Sequence, residues 1–445
     1  MSRLWSSGFE LNTLGSEVEG IFNTGLGQIG TGTVRSGTYA YESDLPQAYI
    51  NYQFAASAQT APFFIRAYIR IATLPNAQDR IIIAGSSGLL RIGIRMNTDG
   101  TLELWNEEDS AQIGSDSSAL STNTWYRIEL KVDTTTISST SVEARIDGSS
   151  FASGTANLAA GILNFWIGKF NANVTGFLYY DDIAINDSTG SFQNSWPGEG
   201  EIIHLRPDED GDNDAWGLNG FQQVDEITPD NATTAIQTNG LDDISEFTLA
   251  ATPAALASDD TINCVQVGVR FRQDVTTGND PTIALRIKSA PAGTVEESSA
   301  ITCTTTTWGT NAVAAPRNYA LTLYDLPGAS TTAWTKADLD TAQIGVRLTN
   351  EPTDAEPQVS TMWLLVDHKP AGAETTTSTT TTSSSTTTST STSTTTTSSS
   401  TTTVSTTTST TTSTSTTTTL PTTFRPSFKV TVTQVTFKMG RVGYN

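Results

Sequence analysis

Apolar residues recur at every second position along most of the first 370 residues, the period of a half-buried β-strand. In 63–71, Phe63, Ile65, Ala67, Ile69 and Ile71 alternate with Phe64, Arg66, Tyr68 and Arg70. Leu90, Ile92, Ile94 and Met96 share one face, Asn97-Thr98-Asp99-Gly100 turns the chain, and Leu102 and Leu104 return it, which predicts a hairpin. Tyr126, Ile128, Leu130 and Val132 form another inward row, answered after a polar turn by Val142, Ala144 and Ile146. A further pair runs through 162–170 and 176–185. Beyond a turn-rich joint at Trp196-Pro197-Gly198, strands are expected at 202–205, 265–271, 283–287, 319–324, 344–348 and 362–366. Helical periodicity is missing throughout. Short alternating strands with turn punctuation predict an all-β chain built from two antiparallel β-sandwiches of jelly-roll type, over 1–195 and 196–370.

The alternation stops near residue 370. From Thr375 to Thr419 every residue except Val404 is Ser or Thr. Such a run has no apolar surface to set against the entropy of ordering, so 371–420 is expected to be a disordered stalk. After it, 421–445 carries Arg425, Lys429, Lys438 and Arg441 and no acid. Phe428, Val430 and Val432 alternate there, and the apolar parity then slips to Val435 and Phe437, which predicts a strand or hairpin with a bulge. A β element this short is marginal alone. It is expected to serve assembly by adding to a partner strand, on another copy or on a different protein.

Charge narrows the partners. Lys plus Arg number 24 against 46 Asp plus Glu, a formal net charge of −22, which argues against nucleic-acid binding because phosphates need clustered cations. No stretch approaches twenty apolar residues, so membrane insertion by a helix is not expected. Cys264 and Cys303 are too few for a disulfide framework and are expected to be isolated thiols.

Chemistry is sparse. His204 and His368 are the only histidines, and neither sits near a nucleophile motif. No pair of carboxylates has the close even spacing that glycosidases on sandwich folds place across a bond. Glu17 with Glu19, and Glu107-Glu108-Asp109, lie in loop-like contexts that read as solvated surface. The expectation is therefore a non-enzymatic protein. Trp105 and Trp125, on the outward parity of their strands, and Trp166 and Tyr180, near strand ends, are the candidates for stacking on sugars. Asp208, Asp210, Asp212 and Asp214 alternate around Gly211, and such carboxylates either wrap a calcium ion or form a solvated acidic loop. EF-hand spacing fails, because no Glu closes the loop.

Asn123-Thr124-Trp125-Tyr126-Arg127-Ile128-Glu129-Leu130, followed by Ala144-Arg145-Ile146-Asp147-Gly148, resembles the concanavalin/laminin-G-type lectin sandwich. The opening Gly8-Phe9-Glu10 with Tyr179-Tyr180-Asp181-Asp182-Ile183-Ala184-Ile185 resembles jelly-roll carbohydrate-binding modules. That resemblance implies a structural calcium shared by Glu10 and Asp181. The opening Arg3-Leu4-Trp5-Ser6-Ser7, the string Tyr180 to Asp187, and His204-Leu205-Arg206-Pro207 are similar to structural proteins of tailed bacteriophages. This implies a virion or tail-associated role, with adsorption to surface glycans as its extension. The opening residues lack the apolar core of a secretory signal, so release by lysis fits better than the alternative of an exported cell-surface adhesin.

Overall fold

Almost all regular structure is antiparallel sheet, and the period-2 rows read from the sequence are the rows that meet inside it. The computed structural model describes residues 2–15, 21–23, 26–53, 57–86, 88–217, 220–228, 234–308, 319–350 and 352–372. The stalk and the assembly candidates Phe428, Val430, Val432, Val435 and Phe437 lie outside the described residues.

The first sandwich has two sheets. Its inner sheet runs in the order Ser149–Ala156, Thr140–Ile146, Trp125–Asp133, Pro62–Thr73, Phe177–Asp187, Ala40–Ser43, Gln28–Gly30, with Arg3–Ser7 also paired to Phe177–Asp187. Its outer sheet runs Ala111–Ile113, Leu102–Asn106, Leu89–Met96, Asp79–Ser86, Asn164–Gly168, Tyr49–Gln53, Ile21–Asn23. Between them lie Ile65, Ala67, Ile69, Ile92, Ile94, Met96, Leu102, Leu104, Ile128, Leu130 and Val132, all buried. The predicted turn closes the hairpin: Gly100 N–H donates to Asn97 O, and Gly100 sits at φ +86°, a conformation that costs glycine least.

The second sandwich repeats the plan. Glu201–Leu205, Pro357–Lys369, Thr261–Gln273 and Tyr319–Leu323 form its inner sheet, with Ile236–Gln237 on the long strand. Pro207–Asp214, Ile244–Leu249, Gln343–Leu348, Thr282–Lys288 and Glu296–Glu297 form its outer sheet, with Ile301–Thr302 beside Thr282–Lys288. The stretch expected as an acidic loop is thus an edge strand, and its carboxylates point mostly to solvent. Cys264 and Cys303 are free and buried.

The two inner sheets face each other. Along Pro357–Lys369, Met362, Leu364 and Val366 pack into the second core, while Trp363 and Leu365 join the first. Gly268 leaves room for the Trp363 indole to lie across its strand. Charged groups are sealed into the same seam. Asp367 Oδ2 lies 2.5 Å from Arg3 Nη1 and 3.3 Å from Arg66 Nη2, and all three side chains are fully buried. Burial pushes the Asp367 carboxyl up, yet the two guanidiniums outweigh it and hold it below the ordinary carboxylate range. Asp182, in a bulge of Phe177–Asp187 at φ +48°, accepts from Arg35 Nη1 at 2.6 Å and from the Ile202 amide at 2.7 Å. Four sheets therefore stack as one body, with the two outer sheets each presenting a face away from the seam.

Candidate functional site

The outward face of the outer sheet in the first sandwich gathers aromatic rings, amides and arginines in register. Gln112 pairs with Trp105, Trp105 with Gly93, Gly93 with Ile83, Ile83 with Trp166, and Trp166 with Asn51. These six residues form one row across six strands, opposite in parity to the core residues Ile82, Ile92, Ile94, Leu104 and Phe165. Three strand spacings separate the two tryptophans, roughly 14 Å.

The row is flanked by charge. Glu107 folds back over Gly93, where its Oε1 would lie 3.1 Å from any added Cβ. It accepts from Arg95 Nε at 2.9 Å, from Arg95 Nη2 at 2.6 Å and from Arg80 Nε at 3.0 Å. The remaining Arg95 Nη1 donates to Gln78 Oε1, and the Arg80 Nη1 to Asn171 Oδ1. The Arg95 guanidinium lies 4.0 Å from the Trp105 ring centroid, so the ring is held flat against a cation. On the other flank Arg91 pairs with Glu108 and donates to Ser86 Oγ, and Asn164 Nδ2 donates to Asn51 Oδ1 at 2.9 Å.

Two uncharged polar atoms on this face are buried without a hydrogen-bond partner among the described residues, the Trp105 indole Nε1 and Asn164 Oδ1, while Arg91 Nη1 has only its ion pair with Glu108. Asn164 as a residue is 4% exposed. A buried donor or acceptor left unmatched costs roughly 1–3 kcal/mol, so each marks a place where a ligand hydroxyl or a water is favoured.

The sequence-based candidates separate under this geometry. Trp105 is half-exposed, one strand in from Gln112 at the end of the row. Trp166 is in the row but only 7% exposed, lying across Gly85 with its edge toward Phe170, so it is a floor and not a free platform. Tyr180 is fully buried in the core beside Tyr41 and cannot meet a sugar. Trp125 begins a strand of the inner sheet, opposite Arg70, and is not brought to Trp105. Glu107 and Glu108 are not solvated loop acids as their context suggested. Glu107 is 2% exposed at its side chain because two arginines close on it.

The carboxylates expected to hold calcium are engaged elsewhere. Glu10 accepts from the amides of Thr38 and Tyr39, and Asp181 from those of Arg35 and Ser36, so the pair anchors the two ends of one loop. Burial and then the neighbouring Asp182 push the Asp181 carboxyl far above its ordinary value. Asp210 accepts from the Phe221 amide and Asp212 from Lys288 Nζ, while Asp208 and Asp214 lie along the same extended strand. Among the described residues no group of three or more His, Cys, Asp or Glu is placed to hold a metal.

No family model matches the chain, and no curated protein matches it. Solved structures with similarity include an endo-β-1,4-glucuronan lyase from the fungus Trichoderma reesei, 13% identical over 42% of this chain and 95% of that one, at a TM-score of 0.31. Domain 4 of an extracellular arabinanase from Geobacillus stearothermophilus, in complex with arabinotriose, is 14% identical over 42% of this chain and 92% of that one, at 0.31. Trypanosoma rangeli sialidase is 14% identical over 36% of this chain and 26% of that one, at 0.29. Likenesses this slight transfer neither activity nor substrate. The expectation of a non-enzymatic protein is not upheld: a lyase and a sialidase are among the matched structures.

Proposed function

We propose that the protein binds glycans through the outward face of the outer sheet of its first sandwich, as a virion or tail-associated structural component. The observation that carries the binding reading is the cross-strand row that holds half-exposed Trp105, whose indole N–H, like the Asn164 carbonyl three strands away, is buried without a partner among the described residues. Aromatic faces take the apolar faces of sugar rings, while fixed polar groups select their hydroxyls. The four stacked sheets hold that row on rigid strands, as a recognition surface needs. Support for the virion setting is the sequence similarity at Arg3 to Ser7 and Tyr180 to Asp187, together with a Ser/Thr run that can carry a binding head away from its anchor. In this setting residues 421–445 engage other virion proteins or further copies of the chain.

A glycan array probed with the full chain tests the binding reading. Specific signals that vanish in Trp105→Ala, with folding intact, are expected. Signals unchanged in that variant would move the site elsewhere, and release of shortened glycan during the same incubation would add catalysis to binding. Mass spectrometry of purified particles tests the setting.

A further inference from the structure

Resting on that reading, the charge balance and orphaned atoms of the face point, we infer, to a neutral polyhydroxylated oligosaccharide as the ligand class, and not to a uronate or sialate polymer. Three arginines stand on the face, and arginine is the usual reader of sugar carboxylates because its planar fork matches two oxygens at once. Here each guanidinium already meets a carboxylate. Arg80 and Arg95 both close on Glu107, and Arg91 is divided between Ser86 and Glu108. Glu103 adds a third carboxylate, held by Gln78 and Asn97. Three guanidiniums therefore face three carboxylates, and Asp109, bonded to Asn106 at the rim, tips the balance negative. A polyanion would meet that local field and a chain of net charge −22.

The unmatched atoms agree with this. One is a donor, Trp105 Nε1, and the other an acceptor, Asn164 Oδ1. A hydroxyl can answer either, so uncharged hydroxyls satisfy both atoms and neither atom calls for a carboxylate. The two residues stand on strands three spacings apart, roughly 14 Å. A single sugar cannot bridge that span, so the site reads several consecutive units.

Calorimetry with the full chain tests the inference, using neutral hexasaccharides of glucose, xylose, arabinose and mannose, their monosaccharides, and hexauronates. At least one neutral hexamer is expected to bind about tenfold or more tighter than its monosaccharide, with little change in Kd between low and high salt, since no uncompensated charge pair is there to screen. Trp105→Phe keeps the ring but removes the donor, and Asn164→Ala removes the acceptor, and each is expected to weaken the neutral hexamer about fivefold to tenfold. Preference for a hexauronate, weakened by salt, would overturn the neutral class while leaving glycan binding intact. No binding to any member of either series would overturn both this inference and the reading beneath it.

Discussion

The two outer sheets present faces of opposite design. On the second sandwich, Glu246 lies between Arg286 at 3.2 Å and Lys288 at 2.7 Å, Lys288 also reaches Asp212, and Arg347 joins Glu297 to Asp242. That face is a continuous ladder of paired charges. The face of the first sandwich has the same motif at its centre, Glu107 between Arg80 and Arg95, but sets it among Trp105, Trp166, Asn51 and Asn164 and leaves a donor and an acceptor unmatched. Both faces bury carboxylates between cations, so burial of charge does not mark a site. What sets the first face apart is aromatic rings in register together with unmatched polar atoms.

The largest expected effect comes from the shared motif. Removing Glu246 with E246A takes the shared buried partner from two largely buried cations, leaving Lys288 with Asp212 and Arg286 with Glu297, and should cost about 3 kcal/mol by chemical denaturation, with glycan affinity of the folded protein unchanged. E107A should cost a similar amount and also abolish binding, because Arg95 loses its hold beneath Trp105. Equal retention of binding in both variants would erase the distinction between the faces. Trp105→Ala comes next: affinity should fall about thirtyfold, as for a central aromatic anchor worth about 2 kcal/mol, while stability changes by about 1 kcal/mol because the ring is half-exposed.

Acid separates the sandwiches more gently. Burial pushes the Asp79 carboxyl up to about 6 despite bonds from the amides of Arg80, Phe170 and Asn171. A raised folded value means that its contribution is complete below the unfolded value of about 4 and is lost as pH rises through about 6. Melting temperature should therefore rise between pH 7 and pH 5, and Asp79→Asn should reduce that rise; identical slopes would remove Asp79 as the cause. Asp212 has the opposite sign. Its bond from Lys288 lowers it to about 2, so its contribution holds above the unfolded value and is lost only as pH falls through about 2. The smallest effect is expected from Asp208→Asn on the exposed edge strand, within about 0.5 kcal/mol and without change in binding.

What the sequence revealed follows from what writes a pattern into it. Period-2 rows such as Ile65, Ala67 and Ile69 are legible because one face of each strand is core. Tyr180 misled because its place near a strand end suggested a ligand loop, whereas it points inward with Leu178 within Phe177–Asp187, and Ile183 and Ile185 do so on the other parity past the bulge at Asp181 and Asp182. The unbroken run Met362-Trp363-Leu364-Leu365-Val366 carried the signal for a strand buried on both faces, and hence for the seam. Pro207–Asp214 hid as a loop because an exposed edge strand needs no apolar parity. Arg80, Arg95 and Glu107 were beyond reach, since their meeting depends on a chain reversal that folds Glu107 over Gly93.

Hydrogen exchange of the full chain, free and saturated with its tightest-binding neutral hexasaccharide, tests the central claim most directly. The account expects new protection confined to Tyr49–Gln53, Asp79–Ser86, Leu89–Met96, Leu102–Asn106 and Asn164–Gly168. Protection instead on Ile244–Leu249 and Gln343–Leu348, or in the cavity of about 350 Å³ lined by Ser117, Leu120, Tyr126 and Phe151, would contradict it.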